Sequence, residues 1–484
     1  MNISDNQKAL AVWTHFEAIC AIPHGSGNEA ALASFIEAFA HKRGLPCVRD
    51  HANNVFVTRE ATPGYEDKPS VLLQGHLDMV CEMTDGAKHD FSCDGLTLFV
   101  EDGWLGAKDT TLGGDDGIAV AYMLALLDGA ASAHPRLECL FTVSEETGLE
   151  GAHAFDPVAA GVTATYMINL DSEEENVITA GCAGGVRTDI HLPLVQASTS
   201  QKTVRVHVSG LSGGHSGTEI TGGHTNAIKF LSRLLLTAFE ATDHGFGLVS
   251  INGGGKDNAI PRSATAVLAC DDPALPTLLC NLAEEARQDP VLIAADRHFE
   301  FEAVLCDKPS PKATSAQDTK KVLDLLTTAR DGVLAMSEEL VGFPVYSRNL
   351  GILCTEADRL VLSFSSRSPS DALLDASENE LSTLAADFGG TARHYARYPG
   401  WDFAPTSHLR SVWTQIYTAQ TGLPILVETI HAGLECGILR HKMPHLDVIS
   451  VGPTMRAIHT PAERLHIQSA ERIFDVLQKV LAQL

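Results

Sequence analysis

The strongest constraint on the fold is a recurring pattern in which apolar runs close on acidic or imidazole side chains and alternate with stretches of helical periodicity. Residues 28–42 (NEAALASFIEAFAHK) carry apolar side chains at helical spacing. NNVFVTRE reads as a strand, and SVLLQGHLDMV begins as a buried strand and ends polar. Residues 115–128 (DDGIAVAYMLALLD) predict a helix opened by two aspartates, the favourable charge at a helix N-terminus. RLECLFTVSEE (136–146) and TATYMINLD (163–171) again run from apolar into acidic residues. Strands alternating with helices specify a doubly wound α/β sheet. In such sheets ligands gather at the carboxyl ends of the strands, where these polar clusters fall.

After Gly185 the texture changes. KTVRVHVSGL alternates apolar and polar, as a one-sided strand does. A helix over 225–239, the strands GFGLVSINGGG and SATAVLACD, and a helix over 275–288 follow. From about residue 300 a similar order returns: FEAVLCD, a helix over 319–331, the strands NLGILCTEA and RLVLSFSSR, a helix over 371–387 and a strand over 391–398. This predicts an α+β domain over 187–397, consistent with a doubled unit. It is inserted in an α/β domain made of 1–186 and 398–484, which resumes with a helix over 406–421, the strand HLDVISVGP and a final helix over 468–484.

Composition excludes several classes. The 484 residues would make about three domains by length alone, or one domain with an insertion. With 44% hydrophobic and 20% charged residues the chain can bury a core, so disorder is excluded as the main state. No run of 18 uncharged apolar residues occurs, so no membrane span is expected. MNISDNQKALAVW lacks the basic and apolar regions of a secretory signal. The net charge of −26 disfavours nucleic acid and anionic membrane surfaces as partners. Eleven scattered cysteines with no CxxC fit reduced, mostly buried thiols in a cytoplasmic protein.

The strand ends hold the candidate chemistry: His76 and Asp78 in GHLDMV, Asp115 and Asp116 in LGGDDG, Glu145 and Glu146, Asp171 in NLDSEEE, and His459 in AIHTPAE. Taken singly, each carboxylate is an ordinary cap or turn residue and each histidine an ordinary hydrogen-bonded side chain. Five such sites at successive strand ends of one sheet point elsewhere. Two imidazoles with three or four carboxylates suit a pair of zinc ions, which sit about 3.5–4 Å apart under a bridging carboxylate. Adjacent side chains diverge in an extended stretch, so one of Glu145 and Glu146 can bind metal while the other moves protons. His76 and Asp78 share a face, so Asp78 can support the His76 imidazole.

The segments QGHLDMV, TTLGGDDGIAVA, SEETGLEGA, INLDSEEE with GCAGG, GLSGGHSGTEI, NAIPR, YPGW, IHAGLECG and VGPTMRAIHTP, in this order and spacing, resemble the di-zinc exopeptidase family of carnosinases, aminoacylases and succinyl-diaminopimelate desuccinylases. The resemblance implies His76 and Asp171 on one metal, Glu146 and His459 on the other, Asp115 bridging, Glu145 as general base and Asp78 as the support of His76. It implies two Zn²⁺ per chain, with Co²⁺ or Mn²⁺ able to substitute. It assigns the insert as a lid whose His215 polarises the scissile carbonyl, whose Asn258 and Arg367 hold the substrate carboxylate, and it makes Gly433 a substrate-facing glycine. Asp116 stands where the family pattern has Asn, which predicts retained metal binding with an altered local charge. His431 and Glu435 flank Gly433 as HxxxE without a further ligand, and are expected to shape the pocket wall.

The implied function is metal-dependent hydrolysis of dipeptides with a free C-terminus, Xaa-His types such as β-alanyl-histidine included. Hydrolysis of N-acyl amino acids is one alternative. A non-catalytic binding protein on the same fold is the other, and an intact Glu145 argues against it. The implied partner is a small peptide. Family members supply the lid histidine either across a homodimer or from a doubled lid in the same chain, and the long insert favours the second.

Overall fold

A computed structural model describes the chain except for Met1, Asn2, Asp5, Gln7, Lys8, Asp243, His244 and Pro311. The reading of the N-terminal segment as lacking a signal falls partly on residues outside those described. The chain forms two compact units: Met1–Gly181 with Trp401–Thr429 and Leu434–Leu484, and Cys182–Gly400 with Ile430–Gly433. This division differs from the expected one at 187 and 397 by a few residues, and also in the short segment Ile430–Gly433. That segment goes with the insert because the Ala183 N–H donates to the Ile430 carbonyl at 3.0 Å and His431 Nε2 lies 2.7 Å from Ser347 Oγ.

The first unit is built on an eight-stranded sheet. Its strands are β1 (Cys47–Arg49), β2 (Val55–Arg59), β3 (Val71–His76), β4 (Leu137–Thr142), β5 (Tyr166–Asn169), β6 (Val177–Cys182), β7 (Leu426–Ile430) and β8 (Asp447–Ser450). Their order is β1-β2-β4-β3-β5-β8-β6-β7. The central strands β4, β3, β5 and β8 run parallel, and antiparallel pairs flank them. Parallel strands covered on both faces read as continuous apolar runs, and β3 and β4 are buried at every residue. The main helices are α1 (Leu10–Cys20), α2 (Ala30–Lys42), α3 (Gly114–Leu127), α4 (His408–Thr421), α5 (Glu435–Lys442) and α6 (Ile467–Gln483). Every residue of α3 is buried, as its apolar sequence requires. Tyr122 of α3 stacks on Phe474 of α6 and donates to the Ala470 carbonyl at 2.7 Å. The helix α1 and the strand pair Leu98–Glu101 and Trp104–Ala107 had no distinct signal in the sequence.

The second unit contains a nine-stranded antiparallel sheet with the helices Ala227–Glu240, Leu275–Ala286, Ala316–Thr328 and Asp371–Asp387 over its apolar core. Its main path runs Glu300–Pro309, Lys202–Ser209, Ala264–Ala269, Gly247–Gly253, then Pro344–Thr355, Arg359–Ser368, Gly184–Pro193, Thr391–Tyr398. These are two four-strand sets of mirrored order that meet where Gly253 pairs with Leu353. The strand Glu300–Pro309 therefore ends the first set. It does not open the second, as its position in the sequence suggested. The strand that opens the second set, Gly184–Pro193, precedes the whole first set in the chain. Sequence order hides such a pairing because backbone hydrogen bonds join strands regardless of their separation along the chain.

Among the described residues no helix is long and apolar enough to cross a membrane. Cys20, Cys139, Cys182, Cys270 and Cys436 are buried, whereas Cys81, Cys93, Cys280 and Cys354 are exposed, so burial is less general than expected.

The approach of α3 to β3 fixes one glycine. A Cβ on Gly75 would stand 2.5 Å from Asp116 Oδ2 and 2.7 Å from the Ala119 Cβ. Gly75→Ala is therefore expected to cost about 1–3 kcal/mol, the usual range for overpacking a filled core. Urea unfolding checks it, and an unchanged midpoint would contradict this packing.

Candidate active site

Because β3, β4, β5 and β8 are parallel, their carboxyl ends meet at one edge of the sheet. His76 closes β3, Glu145 and Glu146 follow β4, Asp171 follows β5, and His459 lies in the loop after β8. Asp115 enters from the start of α3, where Asp115 and Asp116 leave helical geometry (φ −83°, ψ 106° and φ −116°, ψ 30°). Three trios of side chains bring ligand atoms within 4.8 Å of one another: His76, Asp115 and Asp171; Asp115, Glu146 and His459; His76, Glu145 and Glu146. Asp115 belongs to both of the first two. Its Oδ1 is 2.9 Å from His76 Nε2, and its Oδ2 is 3.1 Å from His459 Nε2.

The hydrogen-bond chemistry tests whether these residues fit a cation. His76 Nδ1 lies 2.9 Å from the main-chain carbonyl of Asp78. A carbonyl only accepts, so Nδ1 carries the hydrogen and the neutral ring presents the lone pair of Nε2. That lone pair faces oxygens of Asp115 and, at 3.5 Å, Asp171. Acceptor facing acceptor is repulsive unless a proton or a metal ion lies between them. Glu146 Oε1 is buried and accepts no hydrogen bond, although it stands 2.8 Å from His459 Nε2. Imidazole nitrogens and carboxylate oxygens in this arrangement fit divalent metal ions.

The electrostatics agree. Burial, partly offset by His76 and reinforced by Asp171, Glu435 and Glu146, pushes the Glu145 carboxyl up to about 9. Burial likewise raises Asp171 to about 8, against the pull of His76 and with the push of Asp115. The hydrogen bond to Asp115 and the nearby Glu146 carboxylate raise His459 to about 10. Burial opposes ionisation of Asp115, yet the two imidazoles hold it well below the usual carboxylate range. The carboxylates outnumber the imidazoles, and added positive charge would favour the ionised forms of Glu145 and Asp171.

Backbone clamps hold the ligand loops. The Asp78 carboxylate accepts from the N–H groups of Glu145 (3.0 Å) and Glu146 (3.2 Å) and from Ser26 Oγ (2.8 Å). Its Oδ1 is 3.4 Å from His76 Nδ1, farther than the main-chain carbonyl. Asp78 thus orients the Glu145–Glu146 turn as well as His76. Glu29 accepts from the N–H and Oγ of Ser144 at 3.1 and 3.0 Å. Glu463 accepts from three successive N–H groups that lead into Asp115. Glu435 accepts from Gln74 Nε2 at 2.6 Å and Thr142 Oγ1 at 2.7 Å, and burial pushes it up to about 7. Glu29 and Glu463 escaped the sequence reading because a single glutamate that grips distant backbone leaves no local pattern, and the side-chain bonds of Glu435 to Gln74 and Thr142 were not legible from its place beside Gly433. Asp116 accepts from the His76 N–H at 3.2 Å and joins none of the trios among the described residues.

In the second unit His215 sits on a short strand paired with the one that follows Asn258 (His215 opposite Ala259). Its Nδ1 accepts from the N–H groups of Gly217 (3.3 Å) and Thr218 (3.2 Å), which leaves Nε2 as a hydrogen-bond donor. Burial and the Arg367 charge lower the His215 pKa and keep the ring neutral. Arg367 is 6% exposed, donates from Nη1 to Tyr398 Oη at 3.0 Å, and has a buried Nε without a partner. Gly433 lies in the segment Ile430–Gly433 of the same unit. His431 is pushed down to about 3 by burial and by the charge of Arg367. His431 and Glu435 fall in different units with separate partners, so they do not act as one HxxxE pair.

Known proteins resemble this chain in sequence and fold. Residues 54–185 match the family described as Peptidase family M28, and residues 206–280 match the Peptidase dimerisation domain. The chain is 33% identical over 482 residues to the cytosol non-specific dipeptidase of Escherichia coli, covering 98% of this chain and 97% of that one. The crystal structure of aminoacylhistidine dipeptidase from Vibrio alginolyticus superposes with a TM-score of 0.91 at 31% identity, over 100% and 99% of the two chains. An aminopeptidase from Bacillus cereus shares the fold at a TM-score of 0.55 and 14% identity, over 98% of each chain. The chain therefore belongs to the metal-dependent exopeptidase family of carnosinases and aminoacylases that includes the cytosol non-specific dipeptidases.

Proposed function

We propose that this protein is a metal-dependent dipeptidase that hydrolyses dipeptides with a free C-terminus, Xaa-His dipeptides such as β-alanyl-histidine included. The observation that carries the reading is Asp115, whose two carboxylate oxygens each face a different imidazole nitrogen. In this reading His76 with Asp171, and Glu146 with His459, hold two zinc ions with Asp115 shared, and Co²⁺ or Mn²⁺ can replace them. Bound zinc would polarise the peptide carbonyl and acidify a water. Glu145 takes the proton of the attacking water and passes it to the leaving amine. Its membership of a trio with His76 and Glu146 also puts it within reach of a ligand role, so variants must separate the two. His215 donates from Nε2 to the carbonyl oxygen as negative charge develops there. Arg367, with Asn258, binds the substrate carboxylate, and Gly433 lets the substrate backbone approach closely. The insert, taken as a lid over 187–397, would supply these groups, and its two strand sets fit the doubled lid that the family resemblance links to supply within one chain. A cytoplasmic location is supported by the relative's description as a cytosol enzyme.

Chelation should abolish dipeptide hydrolysis, and zinc should restore it. Elemental analysis should find two ions per chain, and active protein without a divalent ion would refute the mechanism. Turnover of N-acetyl amino acids in preference to dipeptides would move the protein to the acylase branch. Glu145→Gln should lower kcat by about 10²–10⁴-fold, the usual weight of a general acid–base group, with both metals retained. Glu146→Gln should lower metal occupancy as well. Amidating a dipeptide removes one charged hydrogen bond worth roughly 1.5–3 kcal/mol, so kcat/KM should fall at least about tenfold. Arg367→Ala should cost a similar factor on the free acid and little more on the amide. Equal losses on both substrates would return Arg367 to a structural role.

A further inference from the structure

Glu463 is 2% exposed, and among the described residues its carboxylate is held by backbone N–H groups and no ion pair to it occurs. Oε2 accepts from the N–H groups of Leu112 (2.8 Å) and Gly113 (3.2 Å), and Oε1 from that of Gly114 (2.8 Å). Gly113 is left-handed (φ 63°), which turns these successive N–H groups toward one point, an arrangement that binds anions. The next residue is Asp115. An ordinary helix cap would hold the first turn of α3, but here the two residues after the clamp are non-helical. The regular ladder resumes only when the Gly117 N–H donates to Gly113 at 3.1 Å. The clamp therefore fixes the irregular run that aims Asp115.

The other end of the clamp is also tied to the site. His459 lies four residues before Glu463 in a tight loop, with Ala457 and His459 left-handed (φ 50° and 60°). Within it the Glu463 N–H donates to the Thr460 carbonyl at 3.0 Å and Thr460 Oγ1 to the Ala457 carbonyl at 2.6 Å. Directly after Glu463, the strand Arg464–His466 pairs with Trp104–Ala107 and anchors the loop. We propose that Glu463 is a positioning residue of the metal centre: its carboxylate cross-links the loop that aims Asp115 to the loop that carries His459, and so sets the affinity of the site for divalent ions. This rests on the metal-dependent reading above.

The experiment titrates metal-free protein with Zn²⁺ against a chromophoric chelator and records the visible spectrum after Co²⁺ loading. Glu463→Gln places an amide donor against backbone donors. It should weaken metal binding by roughly 10–100-fold, the usual cost of losing a group that orients metal ligands, and should alter the Co²⁺ spectrum. Glu138→Gln is the matched control. Glu138 is also fully buried and accepts from the N–H groups of Thr163 and Ala164, between the N-terminal ends of β4 and β5. This variant should lower the melting temperature of the metal-free protein and leave metal affinity and spectrum unchanged. If Glu463→Gln does not fold, Glu463→Asp keeps the charge with a shorter reach and should give an intermediate loss. Wild-type affinity and spectrum in a folded Glu463 variant would overturn the proposal and leave the dipeptidase reading standing. A wild-type protein that takes up no divalent ion would overturn both.

Discussion

The structure depends on a concentration of negative charge at one edge of a parallel sheet. Asp115, Glu145, Glu146 and Asp171 converge with only two imidazoles among them. Burial and neighbouring carboxylates make Glu145 and Asp171 resist ionisation, whereas the two imidazoles hold Asp115 ionised. A divalent cation beside these oxygens would reverse the local sign and turn repulsion into shared attraction. The fold brings the oxygens and imidazole nitrogens of these residues within 4.8 Å of one another in three trios among the described residues.

That task falls largely to other carboxylates gripping backbone. Asp78 holds the N–H groups of Glu145 and Glu146, Glu29 holds Ser144, and Glu463 holds the three residues before Asp115. Each bond joins loops that are distant in sequence, so the ligand geometry is fixed by the tertiary structure. A charged acceptor on a backbone donor is stronger than a neutral pair, which suits segments too irregular for ladder hydrogen bonds. The glycine at 75 completes the arrangement by letting β3 and α3 approach behind the ligands.

The insert solves a different problem. It carries one imidazole donor held by backbone N–H groups, His215, and one cation held by a tyrosine hydroxyl, Arg367. The N–H groups of Gly217 and Thr218 fix the His215 tautomer, and the Arg367 charge disfavours protonation of His215 and His431 alike. Its sheet is two mirrored strand sets, with Gly184–Pro193 recruited from the opposite end of the insert.

The sequence by itself determined the layered α/β class, the change of texture near residue 185 and which side chains stand at the strand ends. Apolar runs ending in His76, Glu145–Glu146 and Asp171 carry that information locally, because a parallel strand buried on both faces must be apolar until it leaves the sheet. The motifs also pointed to the family, which 33% identity over 482 residues to a relative shows. Only the tertiary structure decided which strands neighbour one another in the insert, that Ile430–Gly433 goes with it, and that Asp78 grips backbone as well as supporting His76. It alone revealed Glu29 and Glu463, because each acts on main-chain atoms common to every residue type, and it alone gave Glu435 its distant partners Gln74 and Thr142. Hydrogen bonds to backbone leave no signature in the sequence of the partner, so such clamps appear only once the chain is folded.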